Sequence, residues 1–121
     1  MKRDMDLVRK IMMIMNEHEH GNAPRRIEIE GYSAEQIAYH CFIMDEAGLI
    51  QAADCSSMSS TSPEAIPIRL TWDGHEFIEN ASNENIWNQT KGAVAKVGDV
   101  SFSVWASVLS KVVLDNLGLS N

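Results

Sequence analysis

The chain has 121 residues, enough for one domain with a real core and too few for two of ordinary size. Its net charge of −7 opposes general affinity for nucleic acid or an anionic membrane. Two cysteines, Cys41 and Cys55, are too few for a disulfide framework and fit a reducing cytoplasm.

The start of the chain, where Asp4 and Asp6 follow Lys2 and Arg3, does not read as an export signal. Charge is unevenly spread. Residues 1–32 balance six basic side chains against six acids, and residues 69–121 set four against six. Residues 33–68 hold Glu35, Asp45, Glu46, Asp54 and Glu64 with no Lys or Arg.

Asp4 predicts the N-cap of a first helix running to about His18. Met5, Val8, Ile11, Met12 and Met15 recur at helical spacing as an apolar stripe that Leu7 and Ile14 widen. Lys2, Arg3, Arg9 and Lys10 are assigned to the opposite face, as a solvated surface or as phosphate contacts. Gly21-Asn22-Ala23-Pro24 breaks the helix. Arg26-Ile27-Glu28-Ile29-Glu30 then alternates, predicting a short strand with Ile27 and Ile29 inward.

Ser33 opens the next helix. Ser33 and Gln36 form a capping box, and Tyr32 and Ile37 occupy the positions of a hydrophobic staple. Ile37, His40, Cys41, Met44 and Ala47 cluster on the expected core side, while Glu35, Ala38, Tyr39, Phe42, Asp45 and Glu46 cluster on the other. Gly48 supplies a left-handed stop, with Leu49 returning to Met44 in a Schellman motif.

Strands are predicted over 49–53 and 66–70, joined by a Ser-rich tip expected to be flexible and uncharged. Thr71 caps a third helix to about Asn80, and Asn83 a fourth to about Lys96 with Ile86 and Trp87 as apolar anchors. A last helix spans 102–117, where Phe102, Trp105, Val108, Leu109, Val112 and Val113 make a broad apolar face. That face must be buried, on the rest of the chain or on a second subunit. Phe102, Trp105, Leu109 and Val112 are the candidate dimerisation residues, and a membrane span is excluded by Lys111 and Asp115.

Few groups suggest chemistry. His18-Glu19-His20 places two histidines off a common helical face, with no second ligand cluster at zinc spacing, so no metal is expected. No phosphate-binding glycine loop, nucleophile elbow or HExxH is present, so neither a cofactor nor an enzyme is expected. DNA readout needs cations on the helix that enters the groove, and helix 33–47 offers acids instead. Glu35, Tyr39, Phe42 and Glu46 are the candidate protein-contact residues. The alternative for Tyr39 and Phe42 is cover by the C-terminal helices. Lys2, Arg3, Arg9, Lys10, Arg25 and Arg26 are the candidate phosphate contacts of a DNA-binding alternative.

Ala47-Gly48-Leu49-Ile50 and Leu70-Thr71-x-x-Gly74-x-x-Phe77-Ile78 resemble the architectural residues of winged-helix regulators. Further motifs add to these: residues 1–11, Gly31-Tyr32-Ser33, Ile37-Ala38-Tyr39-His40, Glu46 to Ile50, Leu70 to Phe77, and Ile86-Trp87-x-x-Thr90-Lys91. Together they resemble an uncharacterised bacterial and phage family, domain of unknown function 2513. The resemblance covers residues 1–91 and implies a small winged-helix-like protein, often prophage-encoded, with no assigned activity.

The expected fold is α+β, mostly α. A winged-helix-like domain (helix, short strand, helix, two-stranded wing) spans 1–80, and a helical extension for dimerisation spans 81–121. One departure stands out. Only Gly31 and Tyr32 separate the predicted strand from Ser33, so the first helix of a helix-turn-helix is missing, or 33–47 is split; the capping and periodicity favour one helix. The expected function is that of a cytoplasmic, non-enzymatic, phage-related regulatory or accessory protein acting through protein contacts. The alternative is a DNA-binding transcriptional regulator.

Overall fold

Local capping signals set where the helices begin. In a computed structural model, which describes residues 1–119, Asp4 caps α1 (Met5–Glu17) through a bond from Leu7 N–H to Oδ1 of 3.2 Å. Ser33 caps α2 (Ala34–Glu46) with both arms of the capping box, Gln36 N–H to Ser33 Oγ at 3.1 Å and Ser33 N–H to Gln36 Oε1 at 2.8 Å. α2 is one uninterrupted helix. It ends in the expected Schellman motif: Gly48 takes φ of +77°, its N–H reaches Asp45 O, and Leu49 N–H reaches Met44 O. Ala47, expected in the core, is the exposed C-cap, because the chain turns away there.

The wing follows as β1 (Ile50–Asp54) and β2 (Ala65–Leu70), an antiparallel hairpin. Gln51 lies opposite Arg69 but Ala52 opposite Pro67, so Ile68 is the extra residue of a bulge. Gln51, Ala53, Ile66 and Arg69 all lie exposed. The tip, expected to be flexible, is cross-braced, with Cys55 N–H on Glu64 O at 2.9 Å and Ser57 N–H on Ser60 Oγ at 3.0 Å.

The strand expected over 26–30 is not formed. Ile27 and Ile29 are half-buried between exposed Arg26, Glu28 and Glu30, so the alternation is correct, yet no ladder joins this segment to the hairpin. A single bond, Ala23 N–H to Ile68 O at 2.7 Å, touches the bulge. Pro24 and Pro67 have no N–H, which removes donors from both sides of any continued pairing.

Thr71 caps α3 (Trp72–Ala81), accepting from Gly74 N–H at 3.1 Å. Asn83 caps α4 (Glu84–Ala95), and Ser101 caps α5 (Phe102–Asn116). The chain divides into two compact units, Met1–Glu76 and the remainder from Phe77. In the first unit, α1, α2 and the hairpin enclose Leu7, Ile11, Met12, Cys41, Met44 and Ile50. In the second, α4 and α5 pack around Trp87 and Leu109, and buried Thr90 satisfies its hydroxyl on Ile86 O at 2.8 Å.

Candidate functional site: helix α2 and the wing

α2 turns directly into β1, so the hairpin returns alongside the helix. Two acids of α2 are occupied in holding it there. Glu35, in the first turn, accepts on Oε2 from Ser62 Oγ at 2.7 Å and from Thr61 Oγ1 at 3.2 Å. These hydroxyls, Ser62 first, hold its carboxyl below the usual glutamate range. At the other end, Asp45 Oδ1 accepts Ala52 N–H at 3.0 Å, beside the bulge. Glu35 and Asp45 both lie exposed, as their place on the outer face of the helix predicts, and Glu35 also anchors the wing tip. Glu46 remains exposed, and Tyr39 and Phe42 are half-buried rather than displayed.

The clasp titrates in a defined direction. A folded-state pKa below the unfolded one contributes stability that is present above the unfolded value and is lost as pH falls through the folded value. NMR titration is expected to place the Glu35 midpoint below the ordinary glutamate value in the wild type. In Ser62→Ala it should move back up, with faster amide exchange over 56–63.

A second network joins α1 to α2. His40, 1% exposed, accepts Asp4 N–H on Nε2 at 2.9 Å, and its Nδ1 donates to Gln36 O at 2.8 Å. These partners assign the neutral tautomer with the proton on Nδ1. Asp4 Oδ2 accepts the Tyr32 hydroxyl at 3.2 Å, and Lys10 Nζ sits 5.4 Å from the Tyr32 ring centre. Burial first, then the Asp4 charge, pushes the Tyr32 phenol up. His40 is thus a bonded core histidine, as its position on the apolar side predicts. His40→Ala strands the Asp4 N–H and is expected to cost about 2 kcal/mol, read as a lower urea midpoint.

The basic residues do not form the expected face. Arg9 is 6% exposed, since about 100° per residue puts it only about 40° round the helix from Met5. It is therefore not available as a surface phosphate contact. Lys2 and Arg3 precede α1 and lie exposed, Lys10 lies over Tyr32, and Arg26 approaches Glu28 at 3.8 Å. Arg25 is exposed.

One surface residue escapes a reading focused on α2. Trp72 is 80% exposed, its Nε1 donating to Glu76 Oε1 at 3.1 Å. Helical periodicity carries the signal: Trp72 lies opposite Gly74, Phe77, Ile78 and Ala81, all buried.

Residues 2–100 match the family described as hypothetical protein (DUF2513). The chain belongs to that family. An uncharacterized protein of Haemophilus influenzae (strain ATCC 51907 / DSM 11121 / KW20 / Rd) is 30% identical over 115 residues, 93% of this chain and 96% of the relative. No solved structure matches. The DUF2513 match runs past residue 91, where the motifs quoted from the sequence end, and stops just before α5.

In this DUF2513 chain, the candidate dimerisation residues all make packing contacts within the chain. Leu109 and Val112 are buried, Trp105 stacks on Trp87 at 5.2 Å, and Phe102 lies 5.2 Å from Phe77. α4 and α5 pack on one another, while Phe102, Trp105, Val108 and Val113 stay half-buried. His18 Nδ1 bonds Asn22 O at 3.0 Å, and His20 lies beside Glu19 at 3.3 Å. Among the described residues, no group of three or more His, Cys, Asp or Glu is placed to hold a metal ion. Nor, among them, is any helix long and apolar enough to cross a membrane.

Proposed function

We propose that this DUF2513 protein is a non-enzymatic, phage-related regulatory or accessory protein that acts through contacts with another protein. The observation that carries the reading is the use made of α2. Its carboxylates at 35 and 45 brace the wing, Glu46 projects beside them, and no Lys or Arg occurs from 33 to 68. A polyanion approaching this face meets fixed negative charge.

The connection before α2 points the same way. α1 ends at Glu17 and α2 begins at Ala34, so sixteen residues (18–33) replace the three- or four-residue turn of a helix-turn-helix. The groups best suited to chemistry are also withdrawn. Both His40 ring nitrogens are bonded, and burial pushes the Cys41 thiol up to about 12. The phage connection rests on the family resemblance.

A DNA-binding regulator is the competing reading, through Lys2, Arg3, Lys10, Arg25 and Arg26. Mobility shift on random duplex DNA at low ionic strength separates the two. No retardation is expected at micromolar protein; a salt-sensitive shift abolished by Arg25→Ala/Arg26→Ala overturns the protein-contact reading.

A further inference from the structure

We infer that the segment from Ile66 to Trp72 is a docking surface for a basic, amphipathic protein segment, an inference that rests on the protein-contact reading and names its partner's chemistry. Two large apolar side chains stand in solvent on one short stretch: Ile66 at 54% and Trp72 at 80% exposed. The six steps of chain from Ile66 to Trp72 span at most about 20 Å, within the compass of a standard contact patch of roughly 800 Å² per partner. An exposed tryptophan adds no core packing, whereas buried in an interface it is among the side chains that contribute most to binding.

The charge beside these anchors selects the partner. Glu76 Oε1 holds the Trp72 indole at 3.1 Å, which fixes a carboxylate against the ring and limits the rotamer freedom lost on binding. Asp73 adjoins Trp72 in the chain, and Asp54 ends β1 next to Ala53, the cross-strand partner of Ile66. All three acids are exposed, against one exposed cation, Arg69. Lys and Arg on the partner would meet these carboxylates while its apolar side chains cover Ile66 and Trp72, and the same charges repel an acidic segment.

The test is calorimetric titration of the whole chain with two synthetic helical peptides of one length, Lys/Leu and Glu/Leu. The Lys/Leu peptide should bind with an affinity that falls as salt rises, and the Glu/Leu peptide should not bind. Trp72→Ala should weaken Lys/Leu binding at least tenfold, with an unchanged melting curve confirming its fold. Equal affinity of the wild type and of both Trp72→Ala and Ile66→Ser overturns the proposal, because charge alone then accounts for binding. Failure of both peptides to bind overturns it as well. Retardation of duplex DNA is a separate outcome that removes the underlying protein-contact reading.

Discussion

Replacing Gly74 with alanine is expected to destabilise the protein by about 3 kcal/mol or to prevent folding, read as a lower urea midpoint or loss of a cooperative melt. Gly74 is the third residue of α3, where Thr71 locks three strands of backbone together. Thr71 Oγ1 accepts from Gly74 N–H at 3.1 Å and donates to Gly48 O at 2.5 Å, while Thr71 N–H reaches Leu49 O at 3.2 Å. A Cβ on residue 74 falls 2.0 Å from Leu49 O and 3.1 Å from Leu49 C.

Neither side of that clash can retreat. Leu49 is held by its bond to Met44 O, and Gly48 by its φ of +77°. Alanine's helix propensity recovers only about 1 kcal/mol. Gly92, within α4, is the control: beyond its chain neighbours and the backbone of its own helix, nothing lies within 4 Å of a Cβ there, so Gly92→Ala is expected to stabilise by about 0.5–1 kcal/mol. The same substitution in two helices thus reverses sign with the space available.

The contrast marks what a sequence can disclose. Caps are local chemistry, and Asp4, Ser33, Thr71 and Asn83 each stand where the helix starts that they predict. Gly48 likewise ends α2 by a conformation that only its own residue type favours. Pairing is different. Residues 26–30 alternate as a strand should, but a ladder requires a donor-bearing edge elsewhere, and Pro67 spoils the one available.

At the site, local and long-range order differ in the same way. The charge of Arg9 suggests solvent, but its helical angle puts it next to Met5 and it is buried. Glu35 is exposed, as its helical position predicts, but its partners Thr61 and Ser62 lie 26 and 27 residues away in sequence, so its bonds to them are not legible locally. The exposure of Trp72 is legible from periodicity within α3, since it lies opposite Gly74, Phe77, Ile78 and Ala81.

Trp87→Ala is expected to have the largest effect of any tryptophan substitution, a loss of about 3–5 kcal/mol. Trp87 is 1% exposed, stacks on Trp105 at 5.2 Å with 24° between planes, and meets Phe77 edge-on at 6.2 Å. Such aromatic pairs contribute about 0.5–1.5 kcal/mol each beyond the area they bury. The unit they organise is small, near the size at which a single core is marginal.

Amide exchange in Trp87→Ala should therefore lose protection across α4 and α5, with collapse of the near-ultraviolet circular dichroism of the stacked rings. Trp105→Ala should cost less because Trp105 is half-buried, and Trp72→Ala less than about 0.5 kcal/mol because it is exposed. Protein concentration then decides between the two occupants considered for the α5 face. If Phe102, Trp105, Leu109 and Val112 are covered by their own chain, the unfolding midpoints of wild type and Trp87→Ala stay fixed across a hundredfold dilution. A midpoint that falls on dilution transfers that face to a second subunit, because dissociation is then coupled to unfolding.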